Sequence, residues 1–117
     1  GSYDPQPQAV TIAGDAVTLD AAAFETGKLY KFSAQMEGSE ARFLVFRQQD
    51  GSLSTVLDAC QICGSKGYMQ DGDYLICKNC NAPIYVPTLG LGGGCDPIPL
   101  PSQLAEGKLV IPAAGLR

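Results

Sequence analysis

The strongest pattern of apolar and polar positions lies in residues 41–48, ARFLVFRQ, where Phe43 and Val45 fall on one side of an extended chain and Leu44 and Phe46 on the other. A strand that is apolar on both faces is buried on both. It runs into Gln49-Asp50-Gly51-Ser52, whose Asp-Gly pair predicts a tight hairpin with positive φ values, and then into a second strand at 53–59, LSTVLDA. That hairpin delivers Cys60. Upstream, AVTI (9–12), AVTL (16–19) and KLYKFSA (28–34) are β-prone segments punctuated by Gly14-Asp15 and Thr26-Gly27. Asp20 is placed to cap a single helical turn running to Phe24. Downstream, DYLIC (73–77), APIYVP (82–87) and KLVIP (108–112) read as further short strands. No internal repeat is present, and no helix longer than a turn or two is predicted.

Composition agrees with this reading. Fourteen Gly and eight Pro among 117 residues point away from a helical bundle and toward short strands joined by turns. The expected fold class is mostly β: a small single domain of short antiparallel strands with Gly/Pro-rich loops and a zinc-ribbon or rubredoxin-like double-knuckle metal site of four cysteines. An apolar content of 45% is enough for one modest core. Residues 1–8, GSYDPQPQ, are polar with two prolines and read as a flexible linker, leaving 9–117 as a single cysteine-rich domain. Gly1-Ser2 without an initiator Met looks like the remnant of a cleaved tag, so a natural leader or membrane anchor is expected to have preceded it. No apolar stretch approaches the roughly 20 residues of a membrane helix.

Charge and missing residue types then narrow the chemistry. Eight basic against twelve acidic residues leave a net charge of −4, so the cationic surface that neutralises phosphates is lacking and nucleic acid is not an expected partner. The chain has no His, which removes the usual general base and the nitrogen metal ligand together. Without a nucleophile beside a base, hydrolysis and group transfer are not expected, and the chain is read as a carrier or metal-binding protein, not an enzyme.

The chemistry must run through sulfur. The motif Cys60-Gln61-Ile62-Cys63-Gly64 is followed, after thirteen residues counted from Cys63, by Cys77-Lys78-Asn79-Cys80-Asn81. Two residues between thiolates let a tight turn aim both sulfurs at one ion while backbone N–H groups bond to them, and Gly64 and Asn81 tolerate the left-handed conformation such a turn needs. Two such turns converge on one site, which suits zinc, iron, copper(I) or an iron–sulfur cluster. Disulfides are the bland alternative, but a bridge within Cys-x-x-Cys closes a tiny loop and stabilises little. A thioredoxin-like use needs one such motif opening a helix in a βαβ unit, which neither pair has.

Cys95 is the odd cysteine, preceded by Gly92-Gly93-Gly94 and followed by three prolines. It is a fifth metal thiol, a replacement ligand or a foothold for a second ion; the plain alternative is a buried small hydrophobe. Tyr68, Tyr74 and Tyr85 are expected to pack over the site. Met69 is a soft thioether or a gap-filler, Asp71-Gly72-Asp73 a turn without the ligand spacing of a calcium loop, and Lys66 and Lys78 either offset thiolate charge or are solvated.

The segments Leu57-Asp58-Ala59-Cys60-Gln61-Ile62-Cys63-Gly64, Gly67-Tyr68, Asp73-Tyr74-Leu75-Ile76-Cys77-Lys78-Asn79-Cys80 and Gly92-Gly93-Gly94-Cys95-Asp96-Pro97-Ile98-Pro99-Leu100 resemble the FtrD-like family of bacterial membrane iron–sulfur proteins. The resemblance spans about residues 41–101. It implies metal ligands at Cys60, Cys63, Cys77 and Cys80 with Cys95 as the family's additional cysteine, and an iron–sulfur cluster or iron as cofactor, with zinc or copper as alternatives. It further implies a periplasmic, membrane-anchored domain that carries electrons for ferrous-iron uptake beside an iron permease and periplasmic metal-binding proteins. Two departures stand out: Asp96 occupies a position where Asn is expected, and the family's membrane helices are absent. A zinc-stapled interaction module and a copper or iron chaperone using Cys95 are the competing readings.

Overall fold

A computed structural model describes residues 1–117. The central sheet has five strands in the order β10-β6-β5-β4-β2: β2 is Gln8–Val10, β4 Leu29–Met36, β5 Ser39–Arg47, β6 Leu53–Cys60 and β10 Pro97–Pro99. A three-stranded sheet, β11-β12-β3, covers one face; its strands are β3 (Ala16–Asp20), β11 (Gln103–Ala105) and β12 (Lys108–Pro112). A four-stranded sheet, β1-β7-β8-β9, covers the other, with β1 at Ser2–Tyr3, β7 at Tyr68–Asp71, β8 at Tyr74–Cys77 and β9 at Pro83–Tyr85. The molecule is thus mostly β, as its composition predicts. Most pairings are antiparallel, but β2 lies parallel to β4.

The alternation in β5 dictates this layering. Phe43 and Val45 point into a cluster with Val17, Phe24, Phe32, Leu109 and Ile111, while Leu44 and Phe46 point into a second with Leu29, Val56, Tyr68, Leu75, Cys77 and Ile84. All four β5 side chains are buried. The expected single core is therefore two, one on each side of the central sheet, because a strand apolar on both faces requires two apolar layers. Each buried Leu, Val or Phe contributes about 1.5–3 kcal/mol by leaving water.

Three local expectations meet different outcomes. Asp20 caps a 3-10 turn at Ala21–Ala23, its carboxylate accepting the Ala22 N–H at 3.1 Å. In the β5–β6 hairpin only Gly51 takes a positive φ, 89°; Asp50 instead accepts the Ser52 N–H at 2.9 Å and the Ser52 hydroxyl at 2.7 Å. Residues 1–8, read as a flexible linker, run along the sheets: Ser2 and Tyr3 pair with Asp71 and Gln70, and Gln8 opens β2. Asp4 between them bonds Lys31 at 2.6 Å and Lys78 at 2.7 Å, so the segment is tied by backbone and charge alike.

Candidate metal centre

The cysteines come from two layers that meet at one end of the molecule. Cys60 ends β6 of the central sheet and Cys77 ends β8 of the covering sheet. Each is followed by the same kind of turn. At the first, Cys60 and Gly64 exchange backbone hydrogen bonds at 3.1 and 3.0 Å, the Cys63 N–H donates to the Cys60 sulfur at 3.0 Å, and Gly64 has φ 63°. At the second, the Asn81 N–H donates to the Cys77 carbonyl at 2.9 Å, the Cys77 N–H to Ala82 at 3.0 Å, and Asn81 has φ 62°. Nothing lies within 4 Å of a side chain placed at Gly64, so backbone conformation alone, not space, favours glycine there. The third approach is Cys95, two residues before Pro97, which sits opposite Cys60 in the β10–β6 ladder.

None of the five cysteines is joined in a disulfide. Cys60 with Cys63 and Cys95, and Cys63 with Cys77 and Cys80, form triples each mutually within 4.8 Å, and the approach of Cys80 to Cys95 makes Cys63, Cys80 and Cys95 a third. The Cys63 sulfur therefore lies within 4.8 Å of each of the other four. Cys80 and Cys95 close the circle at 3.4 Å. Cys60 and Cys77 are buried, Cys63 and Cys95 half-buried and Cys80 exposed, so the cluster has a floor and an open side.

Crowded sulfurs divide their protons unequally. Burial works against a thiolate at Cys60, but the N–H groups of Cys63 and Ile62 outweigh it and hold the thiol below its ordinary pKa. At Cys80 the Ala82 N–H leads, with the Cys95 and Cys77 thiols adding to it, and the pKa falls to about 7. At Cys63 the Asn79 side chain favours the thiolate, yet burial and bonds with Cys77, Cys80 and Cys60 win, and the value is pushed up to about 12. Cys95 is raised as well, chiefly through its bond to Cys80. This divided charge state is what a soft cation replaces, since metal binding displaces thiol protons.

A buried polar brace underlies the cluster, and the sequence reading missed it. Asp58, on the same face of β6 as Cys60, accepts the Tyr68 N–H at 2.9 Å and lies 3.5 Å from the ammonium of Lys31. Both partners are almost fully enclosed, at 2% and 4% exposure, so each charge depends on the other. Asp4 completes the set from the N-terminal strand, and although partial burial raises its pKa, bonds to Lys31 and Lys78 bring it below 3.8. Gly67 fits against the brace: a side-chain carbon there meets the Asp58 carboxylate at 3.0 to 3.2 Å. The quoted pairs Asp58 with Cys60 and Gly67 with Tyr68 carried the signal, but nothing local says that Lys31 is buried.

Of the three tyrosines, only Tyr68 covers the cluster. It is buried against the floor, and its hydroxyl donates to the Cys95 carbonyl, fixing the glycine loop. Burial and the neighbouring Cys60 and Cys77 charges push its phenol above the usual range. Tyr74 and Tyr85 instead form an exposed pair, ring centres 5.4 Å apart, on the outer face of β8 and β9. Met69 neighbours Tyr68 on β7, where successive side chains alternate in direction, and no thioether is needed to complete any of the sulfur triples. Lys78 pairs with Asp4. Asp71-Gly72-Asp73 forms the β7–β8 turn. Close approach explains only one glycine of the Cys95 loop: Gly92 abuts Pro99, whereas Gly93 and Gly94 have open space and serve their positive φ values of 85° and 55°.

A mostly β domain with five free thiols gathered at one end is a cysteine-rich protein of metal-binding type. The donor set fits iron, since thiolates ligate both iron–sulfur clusters and single iron ions. The family model described as membrane iron-sulfur containing protein FtrD-like matches residues 24–117, and the chain belongs to this family. No curated protein matches the chain, and neither does any solved structure. None of its helices is long and apolar enough to cross a membrane.

Proposed function

We propose that this chain is the electron-carrying domain of a membrane-associated iron–sulfur protein, with an iron centre held by Cys60, Cys63, Cys77 and Cys80 in a double-knuckle arrangement. The observation that carries the reading is that two Cys-x-x-Cys turns from different sheets meet, with the Cys63 sulfur of the first within 4.8 Å of both Cys77 and Cys80 of the second. The family description adds iron and sulfur. An iron centre supplies one-electron redox chemistry. The chain's own contribution is to hold the sulfurs, bond N–H groups to them and exclude water from the Cys60 and Cys77 side, which are the means by which a protein sets the potential of such a centre. No catalytic residue is required of the chain itself. The reading places the domain on the extracytoplasmic face, passing electrons in support of ferrous-iron uptake to an iron permease and its metal-binding companions.

Protein purified without oxygen from cells grown on iron is expected to show visible thiolate-to-iron absorption that bleaches with dithionite. A colourless preparation holding one zinc per chain and no redox response overturns the proposal and leaves a zinc-stapled interaction module.

A further inference from the structure

The two covering sheets differ on the sides they turn away from the centre. On β3, β11 and β12 the outward positions include Thr18, Asp20, Gln103 and Lys108, which break up the aliphatic ones, and Lys108 stands opposite Asp20. On β7, β8 and β9 the outward residues are Met69, Ile76 and Pro83 in one row and Asp71, Tyr74 and Tyr85 in the next, so only Asp71 carries charge. An antiparallel sheet left to water alternates apolar inward with polar outward, and this face does not. Tyr74 and Tyr85 remain 44% and 50% exposed with no other layer over them. At its Tyr85 edge the face continues into a cavity of about 510 Å³, lined also by Gln49, Asp50, Asp73 and Leu89 and by no basic residue. Asp50, Asp71 and Asp73 enter no ion pair.

We infer that this face, with the acidic groove beside Tyr85, docks a partner protein through a segment that carries arginine or lysine among apolar side chains. This goes beyond the iron reading and does not depend on it. Charge complementarity selects the occupant: unpaired carboxylates beside an apolar patch are matched by cations, and a guanidinium also lies favourably over a tyrosine ring. A lipid surface is a poor match, because anionic headgroups would meet Asp71 within the patch and a chain of net charge −4. A second copy would bring the same carboxylates and the same net charge. The segment lies across the face and does not extend the sheet, since at the β9 edge Pro83 has no N–H and the Tyr85 carbonyl already accepts the Thr88 hydroxyl at 2.7 Å. Tyr74 opens β8 and Cys77 closes it, so anchoring at the tyrosine end leaves the exposed Cys80 free.

The probes are two short fluorescent peptides, one alternating arginine with valine and the other glutamate with valine, titrated against the metal-loaded protein and read by anisotropy. Saturable binding of the arginine peptide that weakens as salt is raised is expected, with none of the glutamate peptide. Tyr74→Ser combined with Tyr85→Ser should weaken binding about tenfold, whereas the two Tyr→Phe changes should leave it close to wild type. Asp71→Asn combined with Asp73→Asn should weaken it about threefold. Asp20→Asn, on the other sheet, controls for general attraction to an acidic chain and should change nothing; circular dichroism checks that all variants fold. No saturable binding, equal binding of both peptides, or an Asp20→Asn loss as large as that of the Asp71 and Asp73 pair overturns the inference. So does sedimentation showing a dimer that the double Tyr→Ser variant abolishes, which gives the face to a second copy, or flotation with phosphatidylcholine vesicles that the same variant abolishes, which gives it to lipid. Visible absorption of the same preparations reports the iron centre separately, so either proposal can fail without the other.

Discussion

The two faces of the central sheet are covered by layers of similar size but different chemistry. On one side, β3 and β12 meet Phe43 and Val45 through Val17, Leu109 and Ile111, with Phe32 stacked on Phe43 at 5.3 Å. On the other, β7, β8 and β9 meet Leu44 and Phe46 through a cluster that includes Cys60, Cys77 and Tyr68 and grades into the thiols. The first layer is stabilised by packing. The second adds the Asp58–Lys31 brace, the amide of Gln70 bonded to Leu29 and Gly27 of the central layer, and whatever cation holds the sulfurs. A metal therefore acts on half of this molecule, and its removal should be felt unevenly.

Stripping the metal, or making Cys77→Ser, gives the largest expected effect, because structural metal binding is worth on the order of 10 kcal/mol in small domains. Hydrogen exchange should then speed up by orders of magnitude in β7, β8 and β9 while β3 and β12 stay protected; uniform loosening would erase the distinction between the layers. Phe43→Ala strikes the opposite face and should cost about 3–5 kcal/mol in denaturant unfolding, with metal content per folded chain unchanged. Gly67→Ala forces a side chain toward the Asp58 carboxylate at φ 87° and should cost about 1–3 kcal/mol, loosening Tyr68 first. The smallest effect concerns pH. The Asp4 carboxyl has its pKa lowered in the folded state, so its contribution is present above the unfolded value of 3.8 and is lost as pH falls through the lower folded value. Acid should free β1 before the rest of the sheet, and Asp4→Asn should abolish that early step in exchange measured by NMR.

Much of this architecture was legible where neighbours in sequence carry the physics. The two-sided apolar run at 41–48 specifies a central strand, and the spacing of Cys60, Cys63, Cys77 and Cys80, with Gly64 and Asn81 after them, specifies two similar turns. What escaped depends on distant partners. Lys31 sits in a segment that looks like any half-exposed strand, and only Asp58 and Asp4, 27 residues away in either direction, make its burial tolerable. Two-residue β1 leaves no periodicity to detect. Pro97 and Pro99 argue against a strand, yet β10 occupies a sheet edge, where a missing N–H can be accommodated. Tyr74 and Tyr85 misled because nearness in sequence to a cysteine does not fix the side of a strand on which a ring emerges.

The face shared by Val56, Asp58 and Cys60 on β6 has a consequence for how the chain reaches its native state. Strand side chains alternate, so a slip of β6 by one residue would turn all three toward the opposite, mainly apolar layer and present Leu57 and Ala59 to the thiols instead. Such a mispaired hairpin would bury the Asp58 carboxylate unpaired in an apolar layer, so burial itself specifies the register strongly. It also strands Lys31 and leaves the cluster one sulfur short at its floor. A cation held by the sulfurs adds to that discrimination, because the slipped hairpin withdraws Cys60 from the cluster.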